Sequence, residues 1–185
     1  LLPQVVEWGL LLGEQRTADL VEARQKIEVD IAGLAAQRRT TEDLADLKRF
    51  LGRMEWEARE GGDPAAFVEA DVAFHLRLAE TARNSALRDV LSGIQALLRV
   101  WIGRVIAEGH RDASYHEHVP ILAAVEAEDA LAAELAMDSH MRSAAGRLQA
   151  ALERASQRED EANSGAAPLD GKGSDSLGPM MPGSG

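Results

Sequence analysis

Asp71, His75, His118 and His140 are the side chains in this 185-residue sequence whose types and spacing suit metal chemistry. Asp71 and His75 stand four apart in Asp71-Val72-Ala73-Phe74-His75, so a helix projects both from one face. His118 and His140 each lie eleven residues from Asp129, on either side of a predicted turn. In an antiparallel helical hairpin both then sit at one level, roughly 16 Å from the turn at about 1.5 Å rise per residue. One carboxylate and three imidazoles form a ligand set suited to zinc, nickel, iron or manganese. The four residues are a candidate divalent-metal site.

Each assignment has a plainer rival. A single histidine on a helix is most often exposed or bonded locally, and Asp71 with His75 also reads as an ordinary i,i+4 pair worth about 0.3–0.5 kcal/mol. Convergence favours the metal. Asp71 and His75 interrupt a segment with apolar Phe67, Val72, Phe74 and Leu78, and His140 sits among Leu135, Ala136, Met137 and Ala144. Burying four ionisable groups without a partner is costly, and a bound ion removes that cost. His110 follows Gly109 in a predicted loop, and His116 is two residues from His118, on another helix face. Both read as surface histidines.

An anion contact needs a cation nearby. Arg24 borders the apolar stripe of the first helix, where a guanidinium facing a cavity would clamp a carboxylate bidentately. A salt bridge to Glu28 or Asp71 is the equal alternative. Arg99 and Arg104 on the fourth helix are further candidates, although that helix also needs a solvated face. Asn84 reads first as a helix cap. Arg24, Asn84 and Arg99 make up the candidate effector-binding set. Trp101 reads as core or dimer interface.

The elements that must position these residues are about six helices. Thr17 is the expected cap of the first, running to about Gln37 with Leu20, Ile27, Ile31 and Leu34 on one face. Thr40 opens the second, which carries Leu44, Leu47 and Leu51 and ends before Gly61-Gly62. Asp63-Pro64 starts the third as a cap with a first-turn proline. Asn84 caps the fourth, whose wide stripe from Leu87 to Val105 predicts the most buried helix. Ser114 and Glu117 form an expected capping box for the fifth, in which Pro120 should introduce a kink beside His118. The sixth runs from about Asp129 to about Arg158. Residues 1–13 read as a linker or short helix arriving from an absent N-terminal domain, 14–158 as the helical domain, and 159–185 as a disordered Gly/Ser/Pro-rich tail.

Composition agrees with an all-α antiparallel bundle. The length suits one domain with a real core. There is no cysteine, hence no disulfide framework or zinc ribbon. A formal charge of −11 argues against this stretch gripping a phosphate backbone. The apolar runs read as too short to span a bilayer and no signal-peptide pattern opens the chain, so the expected location is cytoplasmic, with no membrane partner. The first residue is leucine, which reads as a fragment lacking its upstream part.

From about Thr17 to about Leu152 the sequence resembles the ligand-sensing C-terminal (FCD) domain of FadR-type regulators in the GntR transcription-factor family. Asp19-Leu20-Val21-Glu22-Ala23-Arg24 with Ile27-Glu28 and Leu34-Ala35-Ala36 looks like that domain's opening helix. Asp71-Val72-Ala73-Phe74-His75 with Leu78-Ala79 and Asn84 is similar to its central motif. Glu117-His118 with Ile121 and Ala124, and His140 after Ala132-Ala133, resemble the remaining two pieces. The resemblance implies a helical bundle that forms a homodimer and senses a small organic acid. It implies a divalent metal (zinc, nickel or manganese) on Asp71, His75, His118 and His140, and an arginine such as Arg24 in the effector pocket. It also implies operator DNA bound through a separate N-terminal winged helix-turn-helix, which this sequence does not contain. The alternative is a metal-dependent enzyme acting on a small carboxylic acid, since metal-held water can be a nucleophile. No general base or nucleophile motif accompanies the four ligands, and the paired Glu-x-x-His motifs of di-iron bundles are missing. A metal-free dimerisation bundle is the third reading.

Overall fold

Helix starts fall where short polar side chains can replace the missing turn. The computed structural model describes residues 14–164, with side-chain surroundings for 16–158. Six helices follow one another: α1 (Glu14–Arg38), α2 (Thr41–Ala58), α3 (Pro64–Thr81), α4 (Ser85–Ala107), α5 (Arg111–Glu126) and α6 (Ala130–Ser164). Thr40 caps α2 in a full capping box with Asp43. Asp63 accepts from the Ala65 amide at 2.9 Å ahead of Pro64, Asn84 from Leu87 at 3.2 Å, and Asp129 from Ala132 at 3.0 Å. The expectations for residues 1–13 and for the segment beyond 164 lie outside the described residues, and α6 continues past Arg158 to Ser164.

Two expected starts are wrong, for one physical reason. Thr17 lies inside α1 and is buried, and α5 begins at Arg111, so Ser114 lies about one turn and Glu117 nearly two turns inside it. Neither member of that supposed capping box caps a helix: the Ser114 carbonyl and the Glu117 carboxylate accept from histidine rings. Pro120 sits within α5, which continues through it to Glu126. The carbonyl it leaves without a donor belongs to His116, whose side chain is exposed.

The bundle is antiparallel and all-α, with α1 packed against α3, α4, α5 and α6. Ile31, Ala32, Ala35 and Ala36 give α1 a narrow, fully buried end, and Gly33 lets α6 approach closely: a Cβ there would stand 2.3 Å from Glu134 Oε1. One turn nearer the N-terminus the inward face carries Arg24 and Glu28, while Leu20 and Ile27 are only half-buried at its flank. The most buried helix is α3, not α4. Phe67, Phe74, His75, Leu78 and Ala79 on α3 are fully enclosed, whereas Val90 on α4 is 51% exposed. By length and composition alone α4 is long and apolar enough to cross a bilayer, contrary to the expectation from apolar runs, and here it packs on α1, α3 and α6.

Candidate metal centre

Three helices deliver the three predicted histidines to one point inside the bundle, with Asp71 beside His118. α3 carries Asp71 and His75, α5 carries His118 and α6 carries His140, all with at most 5% of their surface exposed. One nitrogen from each histidine lies within 4.8 Å of the others. His75 Nε2 and His118 Nε2 are 3.1 Å apart, and Asp71 Oδ1 lies 3.4 Å from His118 Nε2. Two nitrogens bonded to one ion at about 2.1 Å lie roughly 3.0–3.4 Å apart at octahedral or tetrahedral angles, the spacing His75 and His118 already have.

The outer nitrogens decide what the inner ones are. His118 Nδ1 donates to the Ser114 carbonyl at 2.7 Å, His140 Nδ1 to Glu117 Oε2 at 2.9 Å, and His75 Nδ1 to Glu28 Oε2. All three acceptors lack a proton to give, so each ring, when neutral, carries its hydrogen on Nδ1 and a bare lone pair on Nε2. Lone pairs facing one another repel until a cation sits between them. Neither His118 nor His140 readily takes a proton. Burial, then the neighbouring imidazoles, hold His118 well below its ordinary value of 6.5, and burial likewise lowers His140 despite Glu117. The donor set therefore fits a divalent ion, with Glu28, Ser114 and Glu117 orienting the rings that would bind it.

Those orienting carboxylates are themselves anchored. Burial would raise Glu28, but His75 and Arg24 outweigh it and hold the carboxyl at about 2. Arg24 Nε donates to Glu28 Oε1 at 2.6 Å. Burial likewise opposes ionisation of Glu117, yet a bidentate pair with Arg147, both bonds 2.7 Å, together with His140 brings it to about 2. Beside the cluster is a cavity of about 50 Å³. Its polar wall is Asp71, His140, Arg24, Arg147 and Ser114, and the remainder is apolar.

The other predicted residues are placed as follows. Arg24 makes the predicted salt bridge with Glu28 and also lines the cavity. Asn84 caps α4, and Arg99 is exposed in a separate groove with Pro64, Val68 and Glu69, so neither lines this cavity. Arg104 covers the Trp101 ring at 4.5 Å, and Trp101 is core beside Leu148. His116 is exposed beside Asp112, and His110 precedes α5 without a side-chain cap bond. Glu28, Ser114 and Glu117 as ring-orienting residues, and Arg147 as a second cation, were not assigned these roles from sequence. The available signal was a carboxylate at Glu28 on the inward face of α1.

The profile of one protein family, the FCD domain, matches residues 19–143. The chain belongs to the FCD domain family. The chain is 30% identical over 151 residues to the HTH-type transcriptional regulator LutR of Bacillus subtilis, covering 76% of this chain and 65% of that protein. It is 32% identical over 142 residues to the Uxu operon transcriptional regulator of Escherichia coli (70% and 52% covered) and 30% over 133 residues to the galactonate operon transcriptional repressor of the same species (69% and 56%). The chain thus spans about half to two thirds of the length of these relatives. Among solved structures, a Streptococcus agalactiae GntR matches with TM-score 0.61 and 30% identity over 70% of this chain and 57% of that one. E. coli McbR/YncC matches with TM-score 0.67 over 74% and 69%, and at 18% identity it speaks to the fold alone. All three of these relatives are named as transcriptional regulators or repressors.

Proposed function

We propose that this FCD domain is the metal-dependent effector sensor and dimerisation module of a GntR-family transcriptional regulator. Asp71, His75, His118 and His140 would hold one divalent ion; nitrogen-rich ligation suits zinc, nickel or manganese. The observation that carries this reading is the convergence of three buried histidines, each with its Nδ1 bonded to an oxygen. When bound, the ion supplies a Lewis-acidic position for the carboxylate of a small organic acid. Arg24 and Arg147 line the same space and place positive charge beside that carboxylate. The half-buried Leu97 and Val100 and the exposed Val90 on the outer face of α4 support a dimer of two such chains.

Signal transfer runs through α1, which carries Arg24 and Glu28 and so touches both cavity and ligand shell. An acid that draws on Arg24 favours one position of α1, and coupling follows if that position differs in affinity for operator DNA, read by an N-terminal winged helix-turn-helix. Asp71→Ala and His140→Ala are expected to lose metal and acid binding together, measured by elemental analysis and by thermal shift with small carboxylates. Unchanged acid affinity in a metal-free variant would contradict the reading.

A further inference from the structure

The four proposed ligands each have at most 5% of their surface exposed, so an ion reaches or leaves the centre only when one of them moves aside. The three rings are not equally held. His118 Nδ1 bonds the Ser114 carbonyl, a main-chain group fixed by α5 itself. His75 Nδ1 bonds Glu28, whose side chain is fully enclosed. His140 Nδ1 bonds Glu117, whose side chain is 22% exposed and can exchange the ring for water by turning outward. His140 also lines the cavity, which His75 and His118 do not, so it has space beside it to swing into.

What keeps Glu117 turned inward is Arg147. It stands two turns beyond His140 on the same face of α6. Its two terminal nitrogens grip the two oxygens of Glu117 at 2.7 Å each. A fork of this kind fixes the plane of a carboxylate as well as its place, and here the plane directs Oε2 at His140 Nδ1. Lysine, a single point charge, cannot fix that plane. Glu117 also precedes His118, so α5 carries one ligand and the support of another.

We propose that His140 is the ligand that opens when the ion exchanges, and that Arg147, acting through Glu117, is the positioning residue that holds it closed. This rests on the metal reading above. The test follows zinc uptake and zinc loss to excess chelator by stopped flow in wild type, Arg147→Met and Arg147→Lys. Nitrogen NMR of the histidine rings in metal-free protein accompanies it. Zinc should leave Arg147→Met about tenfold faster or more, the scale set by loss of a ligand's hydrogen-bonded support. Uptake should quicken as well, because an opened ring admits the ion as readily as it releases it. Arg147→Lys keeps the charge without the fork, and its rates should lie between the two. In the metal-free variants the His140 ring should lose its single Nδ1–H tautomer while His75 and His118 keep theirs.

Faster loss with unchanged uptake means that Arg147 strengthens the bond and gates nothing, which overturns the proposal alone. So do unchanged rates in both Arg147 variants, or a tautomer lost at His75 or His118 and kept at His140. Should Arg147→Met fail to fold, the Arg147→Lys rates and ring signals decide by the same criteria. A folded wild type that takes up no zinc, nickel or manganese overturns the metal reading and this proposal with it.

Discussion

A histidine is oriented for ligation when its far nitrogen has a fixed acceptor, and three rings here each bond an oxygen through Nδ1. Glu28→Gln keeps the size but lets an amide donate to His75 Nδ1, which favours the tautomer with hydrogen on Nε2. Metal affinity should fall by about 10–100-fold, the usual effect of losing an outer-shell partner, as read by chelator competition. Acid acts on the same groups with two thresholds. Because the His118 and His140 values are lowered in the fold, unfolded imidazoles take up protons first. Their contribution is full above about 6.5 and is lost as pH falls below it. Glu28 and Glu117, held at about 2 against an ordinary 4.5, contribute fully above 4.5 and lose that contribution between 4.5 and about 2. Urea midpoints of metal-free protein should therefore drop from pH 7 to 5.5, and less so in His118→Asn; equal drops in both would contradict the assignment. Asp71, His75, His118 and His140 were readable because helix spacing and a hairpin level are arithmetic on residue numbers. Glu28 and Arg147 were not, because their roles depend on which face α1 and α6 turn inward, and polar residues on a core face erase the apolar stripe that would announce it.

At the scale of elements, caps were legible and burial was not. Thr40, Asp63, Asn84 and Asp129 each bond their own helix start, a local interaction that neighbouring residues specify. Ser114 and Glu117 carry the same local signature, but in the folded chain both accept from histidine rings. The burial of α4 was overestimated because its stripe is apolar on more than the face that the bundle covers. Substitutions at two positions test the helix packing. Phe74→Ala on α3, at a fully enclosed position, should cost about 3–5 kcal/mol in denaturant unfolding. Glu128, in the α5–α6 turn, has φ of 58°, a conformation that costs a non-glycine residue about 1 kcal/mol. Glu128→Gly should raise the melting temperature, since the pair it loses with Arg39 is largely solvated; a fall would show that the pair outweighs the backbone strain.

For the molecule as a whole, the ion would act as a cross-link. Ligands on α3, α5 and α6, with Glu28 on α1 behind them, make four of the six helices converge at one point. Binding only to the folded state, an ion at a hundred times its dissociation constant adds about 2.7 kcal/mol, so chelator should lower the melting temperature of wild type and leave a ligand-free variant unmoved. The family match covers residues 19–143, and the four residues proposed to hold the ion all lie within it. The most direct test of the central claim is elemental analysis of the purified chain beside a His118→Ala, His140→Ala double variant. The account predicts about one divalent metal per wild-type chain and none in the variant. No metal in either, after zinc, nickel and manganese have each been supplied, would contradict it.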